Sequence, residues 1–179
     1  MIIVSFDMGI KNLSYCVFDK KECKVLEWNN ISIIPEKNKV NSYTIDKILQ
    51  NLFLALDEIN LTEKYDIEGI YIENQPTKNP KMKNMQIGTF SYYIIKNKCK
   101  VKLISSKNKL KFEEINEIDK NLYKAKQKYT ERKKLGVLLC NLFMDKYNLF
   151  HFKQFFSSSK KKDDLADSFL YCMYVFKFL

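Results

Sequence analysis

Ile2-Ile3-Val4-Ser5-Phe6-Asp7-Met8-Gly9-Ile10-Lys11-Asn12-Leu13-Ser14-Tyr15-Cys16-Val17-Phe18 is the stretch on which the fold turns. Residues 2–7 read as a buried strand. Met8-Gly9 makes a tight turn, for which Gly9 is expected to adopt positive φ. Residues 13–18 resume strand character, and 24–34 supply a third strand up to Pro35. The links between these strands are short, which favours an antiparallel meander.

Outward from this stretch the pattern changes. Between Tyr43 and Ile59, the residues Ile45, Ile48, Leu49, Leu52, Phe53, Leu56 and Ile59 recur at helical spacing. Residues 67–73 read as a buried, internal strand. Pro76 and Pro80 bracket a loop, a helix is expected over 81–96, and Val101-Lys102-Leu103-Ile104 forms a last short strand. Strand, helix, strand, helix, strand across this region implies parallel pairing through right-handed crossovers. The expected fold class is therefore α/β, a mixed five-stranded sheet of three antiparallel and two parallel strands flanked by helices. Residues 105–128 are lysine-rich and read as a mobile loop or a loosely packed helix. Thr130 is placed as the N-cap of a helix over 131–147. Residues 157–162 read as a flexible basic linker, and the last helix is expected to start near Asp163 and run to the end. No internal repeat is visible, and residues 1–179 read as one domain.

The composition points to a polyanionic partner: 31 basic residues stand against 21 acidic ones, with a formal net charge of +10. Arg132 is the only arginine. The cysteines form no CxxC pair and His151 is the lone histidine, so a structural zinc site is not expected. Scattered cysteines fit reduced thiols in the cytosol. Asp7 and Lys11 interrupt the first apolar run too early for a signal peptide. The C-terminal run from Phe169 to Phe176 is too short to span a bilayer. A cytoplasmic protein without a membrane partner is expected.

Against this basic background, four acids stand out. Asp7 ends the first strand, Glu73 ends the strand Ile70-Tyr71-Ile72, and Asp164 and Asp167 share a face at the start of the last helix. Each has an ordinary structural reading: Asp7 as a turn residue, Glu73 as a solvated strand end, Asp164 and Asp167 as acids favoured by the helix macrodipole. Asp163 reads as a helix cap. Alone, the Asp7 turn also fits the phosphate-binding hairpin of actin-like ATPases, which need a much longer chain. Yet a carboxylate in an apolar run is costly unless paired or metal-bound, and a like-charged pair on one helical face calls for a cation.

In this order, Asp7, Glu73, Asp164 and Asp167 resemble the acids of the RuvC-type Holliday-junction resolvases, members of the RNase H-like superfamily. Lys161-Lys162-Asp163-Asp164-Leu165-Ala166-Asp167-Ser168, with Tyr129-Thr130-Glu131-Arg132-Lys133-Lys134 and Glu73-Asn74-Gln75, is similar to the poxvirus branch of that family. The chain departs from the bacterial members at Met8, where they usually carry proline. The resemblance covers nearly the whole chain. It implies an RNase H-like fold and a structure-selective DNA endonuclease that cuts four-way junctions by paired symmetric nicks, in the processing of viral genome concatemers. It further implies that Asp7, Glu73, Asp164 and Asp167 are catalytic and hold two Mg²⁺ ions, with Mn²⁺ able to substitute. A homodimer is implied as well, since a four-way junction is nearly two-fold symmetric; the helix at 81–96 is the expected interface.

For DNA contacts the residues of choice are Arg132, Lys133 and Lys134, which open a helix, and Lys78, Lys81 and Lys83, which follow Glu73 closely. Lys107, Lys109 and Lys111 are a candidate phosphate-binding edge. Tyr92 and Tyr93 read better as core than as base-stacking groups, and His151 as a surface or packing residue. Two other functions stay open on the residues alone: a related nuclease acting on an RNA–DNA hybrid or flap, and a non-catalytic basic DNA-binding module.

Overall fold

The computed structural model describes residues 1–96, 99–118 and 129–179. Strands β1 (Ile2–Asp7), β2 (Leu13–Asp19) and β3 (Lys24–Ile31) form the antiparallel meander, and β4 (Ile67–Glu73) and β5 (Lys100–Ile104) complete one sheet in the order β3-β2-β1-β4-β5. β1 pairs antiparallel with β2 and parallel with β4, and β4 pairs parallel with β5. The mixed five-stranded sheet with helices on its faces is the architecture expected from the sequence.

The helices are α1 (Ile45–Ile59), α2 (Leu61–Lys64), α3 (Pro80–Lys96), α4 (Ile115–Ile118), α5 (Tyr129–Lys146), α6 (Phe150–Ser158) and α7 (Lys162–Phe178). Strand parity separates two cores. Val4 and Phe6 pack with Ile70, Ile72, Leu52 and Tyr93 on the α1/α3 face. Ile3 packs with Trp28, Leu135, Phe143, Phe169 and Leu170 on the α5/α7 face. Gly88 allows α1 and α3 to close up, because a Cβ there would lie 2.8 Å from Leu49 Cδ2. No helix among the described residues is long and apolar enough to cross a membrane.

Several local expectations are corrected. Gly9 does not adopt positive φ; it is needed because a Cβ would stand 2.4 Å from the Asn12 carbonyl oxygen. β3 ends at Ile31, and Ile33 leaves the ladder to donate its N–H to the Ile10 carbonyl at 2.9 Å. Thr130 lies inside the first turn of α5 and not at its cap. Residues 157–162 are no linker: Ser157 and Ser158 belong to α6, and three residues join it to α7. α6 itself was not expected; its Phe156 stacks on Trp28 with centroids 5.2 Å apart. Residues 105–118 are anchored by buried Phe112 and Ile115, against the expectation of a loose segment. The expectation for 119–128 lies outside the described residues.

Candidate active site

Parity aims both strand-end acids at one face. Ser5 and Asp7 alternate with Val4 and Phe6, and Glu73 alternates with Ile72, so Asp7 and Glu73 point to the side covered by α7. Phe6 pairs with Ile72 in the parallel register, which brings the two acids to the adjacent exits of β1 and β4.

The opening of α7 is pinned over these exits. Ser5 Oγ donates to the Ser168 carbonyl at 2.5 Å, and the Ser14 and Ser168 hydroxyls hydrogen-bond at 2.8 Å. Trp28 Nε1 donates to the Leu165 carbonyl at 3.0 Å. Ala166, with no side chain beyond Cβ, is fully buried. Asp164 and Asp167 are thereby held beside Asp7 and Glu73, and all four line one cavity of about 640 Å³.

The electrostatics of this cavity are those of a crowded anionic site. Asp7 and Asp167 are buried, 7% and 8% exposed. Burial, then the neighbouring charges of Asp167 and Glu73, push the Asp7 carboxyl well above the usual carboxylate range. Burial also lifts Asp167, to about 6, even though Lys109 works in the opposite direction. Asp164 is raised by burial and by its neighbour Asp163. Lys109 enters the cavity from the 3-10 turn Asn108–Leu110 and is ion-paired to Asp167. Although burial alone would favour its neutral form, Asp167, Asp7 and Glu73 keep its amine more basic than usual.

The donor chemistry fits hard divalent cations. Four carboxylates, two of them buried, converge with one ammonium as compensation, and such cations prefer oxygen ligands. As the side chains stand, no three His, Cys, Asp or Glu among the described residues close tightly enough to hold an ion. Lys109, ion-paired to Asp167, supplies compensating positive charge, and Gln75 Nε2 donates to Glu73 Oε2 at 2.5 Å.

The expected basic residues divide. Arg132 and Lys133 line the acidic cavity, as do Lys107 and Lys111. Lys133 is ion-paired to Asp163 and lies 3.6 Å from Asp164. Asp163 is thus no cap; Lys161 holds the N-cap position, without a side-chain hydrogen bond. Lys134 belongs to a neighbouring groove with Lys133, Lys160 and Lys162, floored by Val137 and Leu138. Lys83 shores up the exit of β4 through Asn74 Oδ1 at 3.2 Å and Gln86 Oε1 at 3.1 Å. Lys81 donates to the carbonyls of Val40 and Tyr43 at 3.0 and 2.7 Å, and so fastens a loop. Lys78 is exposed and lines neither cavity. Tyr93 is buried, Tyr92 stacks on Phe53 with centroids 6.1 Å apart, and His151 is exposed.

Nothing in the sequence distinguishes Lys109 from Lys107 and Lys111, and nothing marks Gln75 as a partner of Glu73. A lysine that faces an acid 58 positions away has no local signature.

Comparison with known proteins places these features among relatives. Residues 1–177 match the family model described as Poxvirus A22 protein. An uncharacterized protein of Acanthamoeba polyphaga mimivirus is 32% identical over 159 residues, covering 81% of this chain. The chain spans 38% of the length of that relative. The fowlpox virus Holliday junction resolvase superposes with a TM-score of 0.63 at 18% identity, covering 100% of both chains. The fowlpox virus resolvase in complex with substrate Holliday junction DNA gives 0.66 at 19% identity, over 99% of this chain and 97% of that one. RuvC of T. thermophilus bound to a Holliday junction substrate gives 0.55 at 10% identity, over 97% of this chain and 93% of that one. The fold is that of these resolvases.

Proposed function

Because the chain belongs to the Poxvirus A22 protein family, we propose that it is a metal-dependent endonuclease that resolves four-way DNA junctions by paired symmetric nicks. The observation that carries this reading is the convergence of Asp7, Glu73, Asp164 and Asp167 in one cavity rimmed by basic side chains.

Asp7, Glu73, Asp164 and Asp167 would hold two Mg²⁺ ions, or Mn²⁺ in their place. Bound there, such ions supply an activated water and charge stabilisation for the leaving 3′ oxygen. The chain's own residues do the rest. Lys109 gives up Asp167 and binds a non-bridging oxygen of the scissile phosphate. Lys107, Lys111 and Arg132 on the rim hold the flanking phosphates. Lys133, fixed by Asp163, keeps positive charge at the boundary between this cavity and the basic groove of Lys134, Lys160 and Lys162, and that groove carries the strand onward. Lys78 and Lys83 meet DNA outside the cavity, and Lys81 acts through its loop.

Paired nicks call for two sites, hence a homodimer. The outer face of α3 supports a second copy as the partner: Ile87, Ile94 and Ile95 on it are 50%, 53% and 83% exposed. The substrates would be branched junctions in viral genome concatemers, cut in the cytoplasm of the infected cell. Cleavage of a four-way junction, a flap, an RNA–DNA hybrid and a plain duplex in one assay tests the substrate: preferential cutting of the junction is expected, and preference for the hybrid would overturn this reading.

A further inference from the structure

The two residues that leave β4 are both tied down. Asn74 donates its backbone N–H to the Ile104 carbonyl of β5 at 2.8 Å. Gln75 donates its own to Gln86 Oε1 at 2.7 Å. Gln86 stands on α3 and is 2% exposed. Its amide oxygen also accepts from Lys83 Nζ at 3.1 Å, so two donors fix which end of that amide faces the β4 exit. Lys83 Nζ reaches the Gln75 carbonyl as well, at 3.4 Å. The backbone N–H and C=O of Gln75 are therefore both anchored to α3.

Gln75 lines the acidic cavity, and Gln86 does not. From its anchored backbone, Gln75 donates through Nε2 to Glu73 Oε2 at 2.5 Å. A buried amide such as that of Gln86 is costly unless its hydrogen bonds are made, and here they are made to the residue that holds Glu73. Carboxylates that ligate metals are themselves hydrogen-bonded, which fixes their orientation.

We infer that Gln75 is a positioning residue of the metal site and that Gln86 is its anchor. Gln75 holds Glu73 Oε2 and leaves Oε1 to a cation, while Gln86 fixes the backbone from which Gln75 reaches. This rests on the reading of the four carboxylates as a metal-holding set. Neither glutamine touches the ion; both act through Glu73.

The test is Mn²⁺ binding by calorimetry on the full chain without DNA, in wild type, Q75M, Q86M, Q86E and the Q75M/Q86M double variant. Methionine keeps the length of glutamine and removes the amide. Q75M is expected to bind Mn²⁺ about 10-fold more weakly. Q86M should weaken binding too, and the double variant should be no weaker than Q75M, because the two residues act in series. Q86E keeps an acceptor for the Gln75 N–H and Lys83, and is expected to restore binding; a need for bulk alone would already be met by Q86M. In an E73A background, Q75M is expected to add no further loss. Equal affinity in wild type and Q75M would overturn the inference. So would losses that multiply in the double variant, or the same loss from Q75M with and without Glu73. If Q86M fails to fold, the half-buried Gln75 still decides the matter through Q75M in the two backgrounds. A wild-type protein that binds no Mn²⁺ would instead overturn the metal-site reading beneath it.

Discussion

The indole Nε1 of Trp28 donates to the Leu165 carbonyl at 3.0 Å, and its second partner is Ser168 Oγ at 3.2 Å. One side chain from β3 thus sets the height of the turn that carries Asp164 and Asp167. Trp28→Phe would keep an aromatic ring against Phe156 and Phe169 but remove the indole donor, leaving the Leu165 carbonyl to the Ser168 hydroxyl at 2.9 Å. A loss of about 0.5–1.5 kcal/mol, the net worth of one hydrogen bond, is expected in urea unfolding. Cleavage per folded molecule is expected to fall too, because the acids on α7 lose register with those on the sheet. Unchanged activity would mean the serine hydrogen bonds suffice.

Lys109 has two tasks, balancing Asp167 and meeting the scissile phosphate. Lys109→Met should lower the single-turnover rate about 10²-fold at saturating junction while leaving junction affinity within a few-fold. Separate measurement of binding and of chemistry checks this. A loss confined to affinity would make Lys109 a rim residue like Lys107.

Glu114 offers a pH-dependent readout away from the site. It is 5% exposed, accepts from Lys146 Nζ at 2.9 Å and is ion-paired to Lys177. Burial pushes its carboxyl up, but the hydrogen bonds from Lys177 and Lys146 prevail and hold it down at about 2. A depressed folded value means the stabilisation is present above the unfolded value of about 4.3 and is lost as pH falls through the folded one. Melting temperature should therefore decline between about pH 4.3 and pH 2, and Glu114→Gln should flatten that decline. At neutral pH the variant should be about 2 kcal/mol less stable, with the solvated lysines discounted.

The groove of Lys134, Lys160 and Lys162 predicts a salt signature. Replacing these three by alanine should weaken junction binding in Ca²⁺. The slope of log affinity against log salt should fall by about 0.9 for each phosphate on the duplex arms that the groove no longer neutralises. The cleavage rate at saturation should change little. An unaltered slope would remove the groove from the DNA path.

How much of the molecule is legible in its sequence follows from the range of the forces involved. The sheet is readable because parity and helical periodicity are local, and the exits of β1 and β4 are located by their acids. α6 is not, because nine residues are short for a helical period, and the Trp28 ring that receives Phe152, Phe155 and Phe156 lies far along the chain. Phe112 and Ile115 are hidden among lysines for the same reason: two apolar residues anchor a segment only where a core receives them. The role of Lys109 arises from Asp167, far along the chain, and no spacing records it. Gly9 is a required glycine, as the turn suggests, but for a different cause: the Asn12 carbonyl, and not a positive φ, excludes a side chain there.

The central claim is that the four converging carboxylates hold the ions that cut DNA. The most direct measurement is cleavage of an end-labelled synthetic four-way junction with Mg²⁺ by wild type, Asp7→Asn and Asp164→Asn, with binding to the same junction measured in parallel. The prediction is symmetric, Mg²⁺-dependent nicking by wild type and loss of cleavage in both variants, with junction binding retained. Full cleavage by either variant, or wild-type binding with no Mg²⁺-dependent cutting, would contradict it.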